Sequence, residues 1–363
     1  MKTEVNSSKR VAVLTVAEPR ALSSLQLYTQ YFDENMIEYD IICTNRYGEG
    51  NTVFKGNLYQ YDFKVALTDS RIKKLKPYIS YRRFAINILK KNKYDFIVVW
   101  NENTMLLFSD YLLKTEVPYS INIRDYNYSR NFILEKIRSM LAKKAAFATA
   151  ATVHLPDYVK RLNAFPLVSQ LESLPDGVIL RDIQHLDPIR LSYVGTLRAV
   201  MVEDMKRLID AFANDDRFIL GFYGTGSDLL SKYVIDNHIS NVVIKGTFDM
   251  DQLYQYLNQT DIMNTYYGSG PMEKYRMTIK MGYAVMMNIP IVVSQESEGV
   301  VKDINDYGFG FVINELSGLA DELYEWYKNL NYSLFKVNCS KYIKRNEEIN
   351  HRLYLELKPY CES

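Results

Sequence analysis

The strongest constraint on this chain is an alternation that occurs twice along it. Short runs rich in Val, Ile and aromatic residues are separated by longer stretches with helical periodicity. Strands that are apolar on both faces and joined by helices belong to parallel sheets covered on both sides. In the first series, strands are predicted near 10–16, 39–44, 94–100, 119–123 and 147–151, with helices between most of them. The stretch 45–61 carries Gly48, Gly50 and Gly56 and reads as an irregular loop. The periodicity weakens over 170–190, where Pro175, Gly177 and Pro188 punctuate the chain. It restarts with strands near 191–194, 218–223, 242–245, 261–265, 289–293 and 309–313, and helices near 203–214, 228–237, 251–258, 278–287 and 299–306. In the first of those helices Met205, Leu208, Ile209 and Phe212 fall at i, i+3, i+4 and i+7, one apolar stripe for one sheet face. Right-handed crossovers then make each series an α/β, doubly wound, Rossmann-like sheet.

At roughly 100 to 200 residues per domain, 363 residues suit two such domains. The expected division is 1–170, a linker over 171–190, a second domain over 191–335, and a C-terminal helical tail over 336–363. Two sheets of this kind bind ligands at the carboxyl ends of their strands, so a central cleft between the domains is the expected site. An apolar share of 47% with 24% charged residues excludes disorder as the main state. Cys43, Cys339 and Cys361 are far apart and the four histidines lack metal-ligand spacing, which argues against zinc and for a reducing, cytoplasmic setting. The longest apolar run, 281–293, is broken by Gly282, Asn288 and Pro290 and is too short to span a bilayer. The run 11–17 ends in Glu18 and Pro19, and reads as a first strand rather than a signal peptide.

A net charge of +1 conceals polarity: residues 1–170 hold 25 Lys and Arg against 16 Asp and Glu, a net of +9, and the remainder a net of −8. The excess peaks over 71–93, where nine cations occur without an acid. Apolar residues such as Tyr78, Ile79 and Phe84 are interleaved with them, which is compatible either with an interfacial helix on an anionic membrane or with a solvated face over a buried stripe. The tract matches no nucleic-acid-binding motif, and a nucleic-acid partner is not expected.

Three glycine-bearing turns could carry chemistry. Gly195-Thr196-Leu197-Arg198 follows a buried strand; the glycine permits close backbone approach, and Arg198 suits a diphosphate. Tyr223-Gly224-Thr225-Gly226-Ser227 is a second strand-to-helix turn, with Ser227 as a helix N-cap; lacking a third glycine, it is not the dinucleotide fingerprint. The polar loop 266–278 feeds a helix with Lys280 in its first turn, where a cation opposes the helix dipole unless an anionic ligand binds. Arg124-Asp125 ends a strand of the first series; such a pair can position a hydroxyl, act as a base or form an internal ion pair. Asp249-Met250-Asp251 reads as a turn and helix cap rather than a metal-binding Asp-x-Asp.

Taken together, the strand-Gly-x-x-Arg segment, Tyr223-Gly224-Thr225-Gly226, Asp261 opening a strand and the Lys-bearing helix before Asn288-Ile289-Pro290-Ile291-Val292-Val293 resemble the donor domain of GT-B glycosyltransferases. More narrowly they resemble the capsular-polysaccharide branch near glycosyltransferase family 4. Lys93-Tyr94-Asp95, Ile123-Arg124-Asp125-Tyr126 and Leu155-Pro156 add to the likeness in the first half. The resemblance implies a nucleotide-sugar donor, UDP-linked, on the second domain. It also implies a glycan or polyprenyl-diphosphate-linked acceptor on the first, hexosyl transfer with retention, and no metal or cofactor. Family 4 enzymes usually carry Glu-x7-Glu; the two positions here are Tyr275 and Tyr283, with Glu273 nearby. Arg198 and Lys280 are then expected to hold the diphosphate, beside Gly195, Thr196, Gly224 and Gly226. Tyr275, Tyr283 or Glu273 would orient nucleotide or sugar, and Asp125 with Arg124 would position the acceptor or act as base. A glycosyltransferase-like accessory protein that binds glycan without turnover is the competing expectation, and a peripheral place on the inner face of the membrane suits either.

Overall fold

The computed structural model describes residues 9–18, 25–45, 54–64, 71–124, 131–154, 157–168, 174, 178, 180, 187–249, 252–268 and 278–362, apart from the side chains of 71, 72, 74, 157 and 158. The chain divides into two compact units: Met1–Val168 with Glu348–Ser363, and Ser169–Glu347.

The first unit runs β1 (Arg10–Thr15), α1 (Gln26–Glu34), β2 (Glu38–Asn45), β3 (Asn57–Asp62), α2 (Arg71–Asn92), β4 (Phe96–Trp100), α3 (Glu102–Leu107), α4 (Ser109–Lys114), β5 (Tyr119–Ile123), α5 (Phe132–Lys144), β6 (Phe147–Ala150), α6 (Asp157–Lys160) and β7 (Ala164–Pro166). Among the described residues its seven strands are all parallel, in the order β3-β2-β1-β4-β5-β6-β7. Strands β4 (Phe-Ile-Val-Val-Trp) and β5 (Tyr-Ser-Ile-Asn-Ile) are buried at every position, as central strands of a parallel sheet covered on both faces are.

One correction concerns 45–61, expected to be irregular. Its last residues form the edge strand β3, paired with β2 from Asp40↔Asn57 to Asn45↔Asp62. The sequence Asn-Leu-Tyr-Gln-Tyr-Asp lacks the β-branched run that marks a buried strand, because an edge strand is only half-covered. Pairing with β2 and aromatic contact hold it there: the Tyr61 ring lies 5.3 Å from Phe84 and 6.2 Å from Tyr81. Helix α2 turns Tyr81, Ala85 and Leu89 inward at i, i+4 and i+8, and Lys73, Lys76, Arg83, Lys90 and Lys91 are exposed.

The second unit runs β8 (Ile189–Val194), α7 (Val202–Asp210), β9 (Phe218–Tyr223), α8 (Ser231–Asp236), β10 (Val242–Lys245), α9 (Leu253–Asn258), β11 (Ile262–Asn264), α10 (Ile279–Met286), β12 (Ile291–Ser294), α11 (Glu298–Tyr307), β13 (Gly310–Ile313), α12 (Leu319–Lys328) and α13 (Tyr332–Cys361). Among the described residues its six parallel strands are ordered β10-β9-β8-β11-β12-β13. Both sheets thus reverse their strand order once, between β1 and β4 and between β8 and β11, and such a reversal opens a ligand crevice at the carboxyl edge.

The residues from 348 onward join the first unit rather than forming a separate tail. Leu353, Leu357 and Cys361 of α13 are buried in that unit's core, whereas Phe335, Cys339 and Tyr342 belong to the second. The Asn350 amide donates to the Val168 carbonyl at 2.9 Å and its oxygen accepts from the Val168 N–H at 2.8 Å. Tyr360 stacks on Phe96 at 4.9 Å, and the Tyr31 hydroxyl donates to Glu362 at 2.7 Å.

Cys43, Cys339 and Cys361 are buried free thiols, and loss of hydration pushes each up to about 12. A thiol in the unfolded chain titrates near 8.5. Below that pH both states keep their protons and native stability is whole; above it only the unfolded chain releases them, so stability falls as pH climbs toward 12. The expected result is an unfolding temperature that drops steadily above about pH 9, with native thiols nearly inert to alkylation at pH 8. Labelling of all three at free-cysteine rates before unfolding would contradict this burial.

Candidate functional site

At the carboxyl edge of the second sheet, two glycine turns continue the strand register beyond the strands. The Gly195 N–H donates to the Tyr223 carbonyl and the Leu197 N–H to the Thr225 carbonyl, both at 2.8 Å. Main chain therefore packs on main chain. A Cβ on Gly224, which has φ +128°, would stand 2.3 Å from the Gly195 oxygen, and one on Gly226 (φ +84°) 2.2 Å from the Leu197 oxygen. No L side chain fits either position. The Gly224 N–H also donates to the Lys245 carbonyl at 2.9 Å, tying the end of β10 to the same cluster.

Ser227 is not the helix cap its sequence position suggests. Gly226 occupies the cap, and the Ser227 hydroxyl donates to the Lys245 carbonyl at 2.9 Å. That bond joins neighbouring strand ends, and it outcompetes local capping because the hydroxyl is buried against β10. Asp249 forms a turn into α9, with the Gln252 N–H donating to its carbonyl at 2.9 Å.

Lys280 lies under the first turn. Thr278 caps α10, its hydroxyl accepting from the Lys280 N–H at 3.3 Å and from the Tyr267 hydroxyl at 2.9 Å. This places Lys280 in the first turn of α10, and its side chain is buried instead of solvated. The ammonium stands 3.2 Å from the centroid of the Tyr193 ring and 5.2 Å from that of Tyr267. A Cβ on Gly195 would lie 3.0 Å from Lys280 Cε, so the glycine makes room for the lysine stem. Aromatic faces attract a cation and lower the cost of withdrawing it from water. Helix α10 has no acid in its first turn, so its amide dipole and Lys280 give one region of positive potential beside the glycine turns.

The remaining expected residues are distributed as follows. Thr196 and Arg198 are exposed on the turn after β8, and the Thr196 carbonyl accepts from the Tyr193 hydroxyl at 2.8 Å. Tyr283, one turn along α10 from Lys280, meets Tyr254 edge-on at 6.3 Å; burial, then Tyr254, pushes its hydroxyl up to about 12. It is therefore a neutral phenol where a carboxylate would titrate far lower. Glu273 and Tyr275 lie outside the described residues. In the first unit Arg124 follows β5, with its guanidinium 5.6 Å from the centroid of Trp100 at the end of β4; Asp125 lies outside the described residues. Among the described residues no group of three or more His, Cys, Asp and Glu is arranged to hold a metal ion.

Three residues of the site were not singled out from sequence. Tyr193 and Tyr267 hold the ammonium and Thr278 caps its helix, yet Tyr193 reads as one more buried strand residue. Its role depends on a helix 86 positions later arriving beneath it, and no local pattern carries that.

No protein-family model matches the chain, and no curated protein matches it in sequence. Solved structures do match it in shape. Sucrose-phosphate synthase from Thermosynechococcus elongatus superposes with a TM-score of 0.65 at 11% identity, over 95% of each chain. The fold is that of the GT-B glycosyltransferases. The lipopolysaccharide outer core galactosyltransferase WaaB gives 0.64 at 14% identity over 97% of this chain and 100% of that one. Anabaena HepE, solved in complex with UDP and glucose, gives 0.65 at 12% identity over the same shares.

Proposed function

We propose that the chain is a glycosyltransferase of hexosyl type. It moves a sugar from a UDP-linked donor to a glycan or a polyprenyl-diphosphate-linked glycan, in synthesis of a bacterial capsular or exopolysaccharide on the inner face of the membrane. The observation that carries this reading is the Lys280 ammonium seated on the Tyr193 ring beside the Gly195 and Gly224 turns, at the point where strand order reverses. A nucleoside diphosphate suits that arrangement, because close main-chain approach, a fixed cation and a helix N-terminus all favour phosphate oxygens. HepE, a match in fold, was solved with UDP and glucose.

In this reaction the bond between the anomeric carbon and the diphosphate oxygen breaks, and its electron pair leaves on the diphosphate. Lys280, Arg198 and the α10 amides stabilise that developing charge, so no metal ion is required of the site. The acceptor hydroxyl oxygen forms the new bond to the anomeric carbon. Its proton passes to a leaving-diphosphate oxygen if configuration is retained, as we propose, or to Asp125 if it inverts. Arg124 and Asp125 are assigned to the acceptor; Tyr283, Tyr275 and Glu273 to nucleotide or sugar. Helix α2, with Lys73, Lys76, Arg83, Lys90 and Lys91 exposed, is assigned to an anionic membrane surface.

A thermal-shift and turnover screen against UDP-, GDP- and TDP-sugars tests the reading. Stabilisation by a UDP-sugar with release of UDP is expected, and the anomeric proton signal of the product reports its configuration. A screen with neither stabilisation nor turnover rejects it. The neutral Tyr283 phenol in place of a carboxylate favours a second reading, a donor-binding accessory protein. Stabilisation by a nucleotide sugar without turnover, with acceptor present, would select it.

A further inference from the structure

Two helices on one face of the first sheet present the same kind of surface. Helix α2 joins β3 to β4, α3 and α4 together join β4 to β5, and α5 joins β5 to β6; each connection runs toward β7 in sheet order, and right-handed crossovers place all four helices on one face. Side-chain contacts agree: Arg82 of α2 donates to the Leu107 carbonyl at 3.1 Å, and Arg138 of α5 meets Glu102 of α3 at 2.6 Å. The amino ends of α2 and α5 therefore both lie at the carboxyl edge of this sheet.

On α5 the outward residues Ile133, Lys136, Met140 and Lys143 fall at i, i+3, i+7 and i+10, one stripe of alternating apolar and cationic side chains. Phe132, beside them in the first turn, is 80% exposed, and Ile133 is 67% exposed. On α2, Lys76, Ile79 and Arg83 repeat the pattern at i, i+3 and i+7, with Leu75 beside them, 54% exposed. Neither stripe contains an acid. Phe132 and Ile133 are not needed for the core, and together they are a large apolar area to leave in water.

We propose that α5 is a second membrane-contacting element: Phe132 and Ile133 enter the headgroup–acyl boundary of an anionic bilayer, while Lys136 and Lys143 join the α2 cations at the phosphates. The inference rests on the membrane reading of α2 and extends it from electrostatic attraction to insertion. Charge decides the occupant. A protein partner would need matched acidic positions, whereas an anionic bilayer offers phosphates everywhere and hydrocarbon just beneath, which suits interspersed Lys and Phe.

The test is co-flotation of the full chain with vesicles of phosphatidylcholine alone, or of phosphatidylcholine mixed with phosphatidylglycerol. The native chain should float only with the mixed vesicles. The double variant Phe132→Ser with Ile133→Ser should lose about tenfold to hundredfold in partitioning while keeping its salt dependence and unfolding temperature, since both positions are exposed. Lys76→Gln with Arg83→Gln should weaken binding about tenfold and flatten the salt dependence. In Phe132→Trp, indole emission should shift to the blue on adding mixed vesicles. If the α5 variant floats like the native chain while the α2 variant does not, α5 insertion is wrong and the α2 reading stands. If neither variant changes flotation, or the native chain never floats, both are wrong. A native dimer that the α5 variant dissolves would assign the stripe to a second copy and overturn the proposal.

Discussion

Replacing Lys280 by methionine is expected to reduce donor turnover by roughly 10²- to 10³-fold, the loss typical when one fixed group stabilising a developing anion is removed. Methionine keeps the unbranched stem that fills the space under Gly195 and lies on the Tyr193 ring, so the site should keep its shape. Removing a cation from the first turn of α10 also relieves an unfavourable interaction with the helix dipole. The unfolding temperature without donor should therefore hold or rise, while the rise caused by a UDP-sugar disappears. Activity and stability moving apart in this way separates a diphosphate-binding lysine from a structural one. Arg198→Ala should cost less, about tenfold, because Arg198 is exposed and mobile water competes for the same oxygens. A Lys280→Met protein with native turnover of the donor would remove Lys280 from the mechanism.

Gly224→Ala is expected to destabilise the second unit by about 3 kcal/mol or more, and to lower its unfolding temperature by about 10 °C on the scale usual for a domain of this size. Two effects add. A φ of +128° is a conformation an L residue rarely adopts, and the new methyl would lie 2.3 Å from the Gly195 oxygen and 2.7 Å from its carbonyl carbon. Backbone cannot yield there without parting the turns after β8 and β9, which are held by the 2.8 Å bonds from Gly195 and Leu197. Gly246→Ala, directly after Lys245 and with its carbonyl also accepting from the Gly224 N–H at 3.2 Å, is the control, since the substitution leaves that carbonyl in place. Nothing lies within 4 Å of a Cβ built there, so its effect should stay within about 0.5 kcal/mol. Calorimetry of the two variants decides the matter: equal stability would mean that the turns are not packed main chain to main chain.

Much of the architecture is legible in the chain because it is written in local patterns. Val98 and Val292 sit in strands that are apolar on both faces, and Met205, Leu208 and Ile209 form a helical stripe; both periodicities can be counted. Gly195, Gly224 and Gly226 were also visible, since a glycine just after a buried strand has few other uses. The edge strand β3 was not, because half-covered polar strands have no distinctive composition and take their geometry from a neighbour. Nor was the membership of 348–363 in the first unit. Helical periodicity shows that Leu353 and Leu357 face something apolar, without showing which core it is.

The sequence by itself determined that there would be two doubly wound sheets, where their glycine turns lie and that one half is basic, since each depends on residues within a few positions of one another. Only the tertiary structure decided that Lys280 stands on the Tyr193 ring, that the two turns touch through their backbones, and that α2 and α5 share a face. Those facts join residues tens of positions apart. Strand order and crossover hand set them, and a linear pattern of side chains does not carry that information.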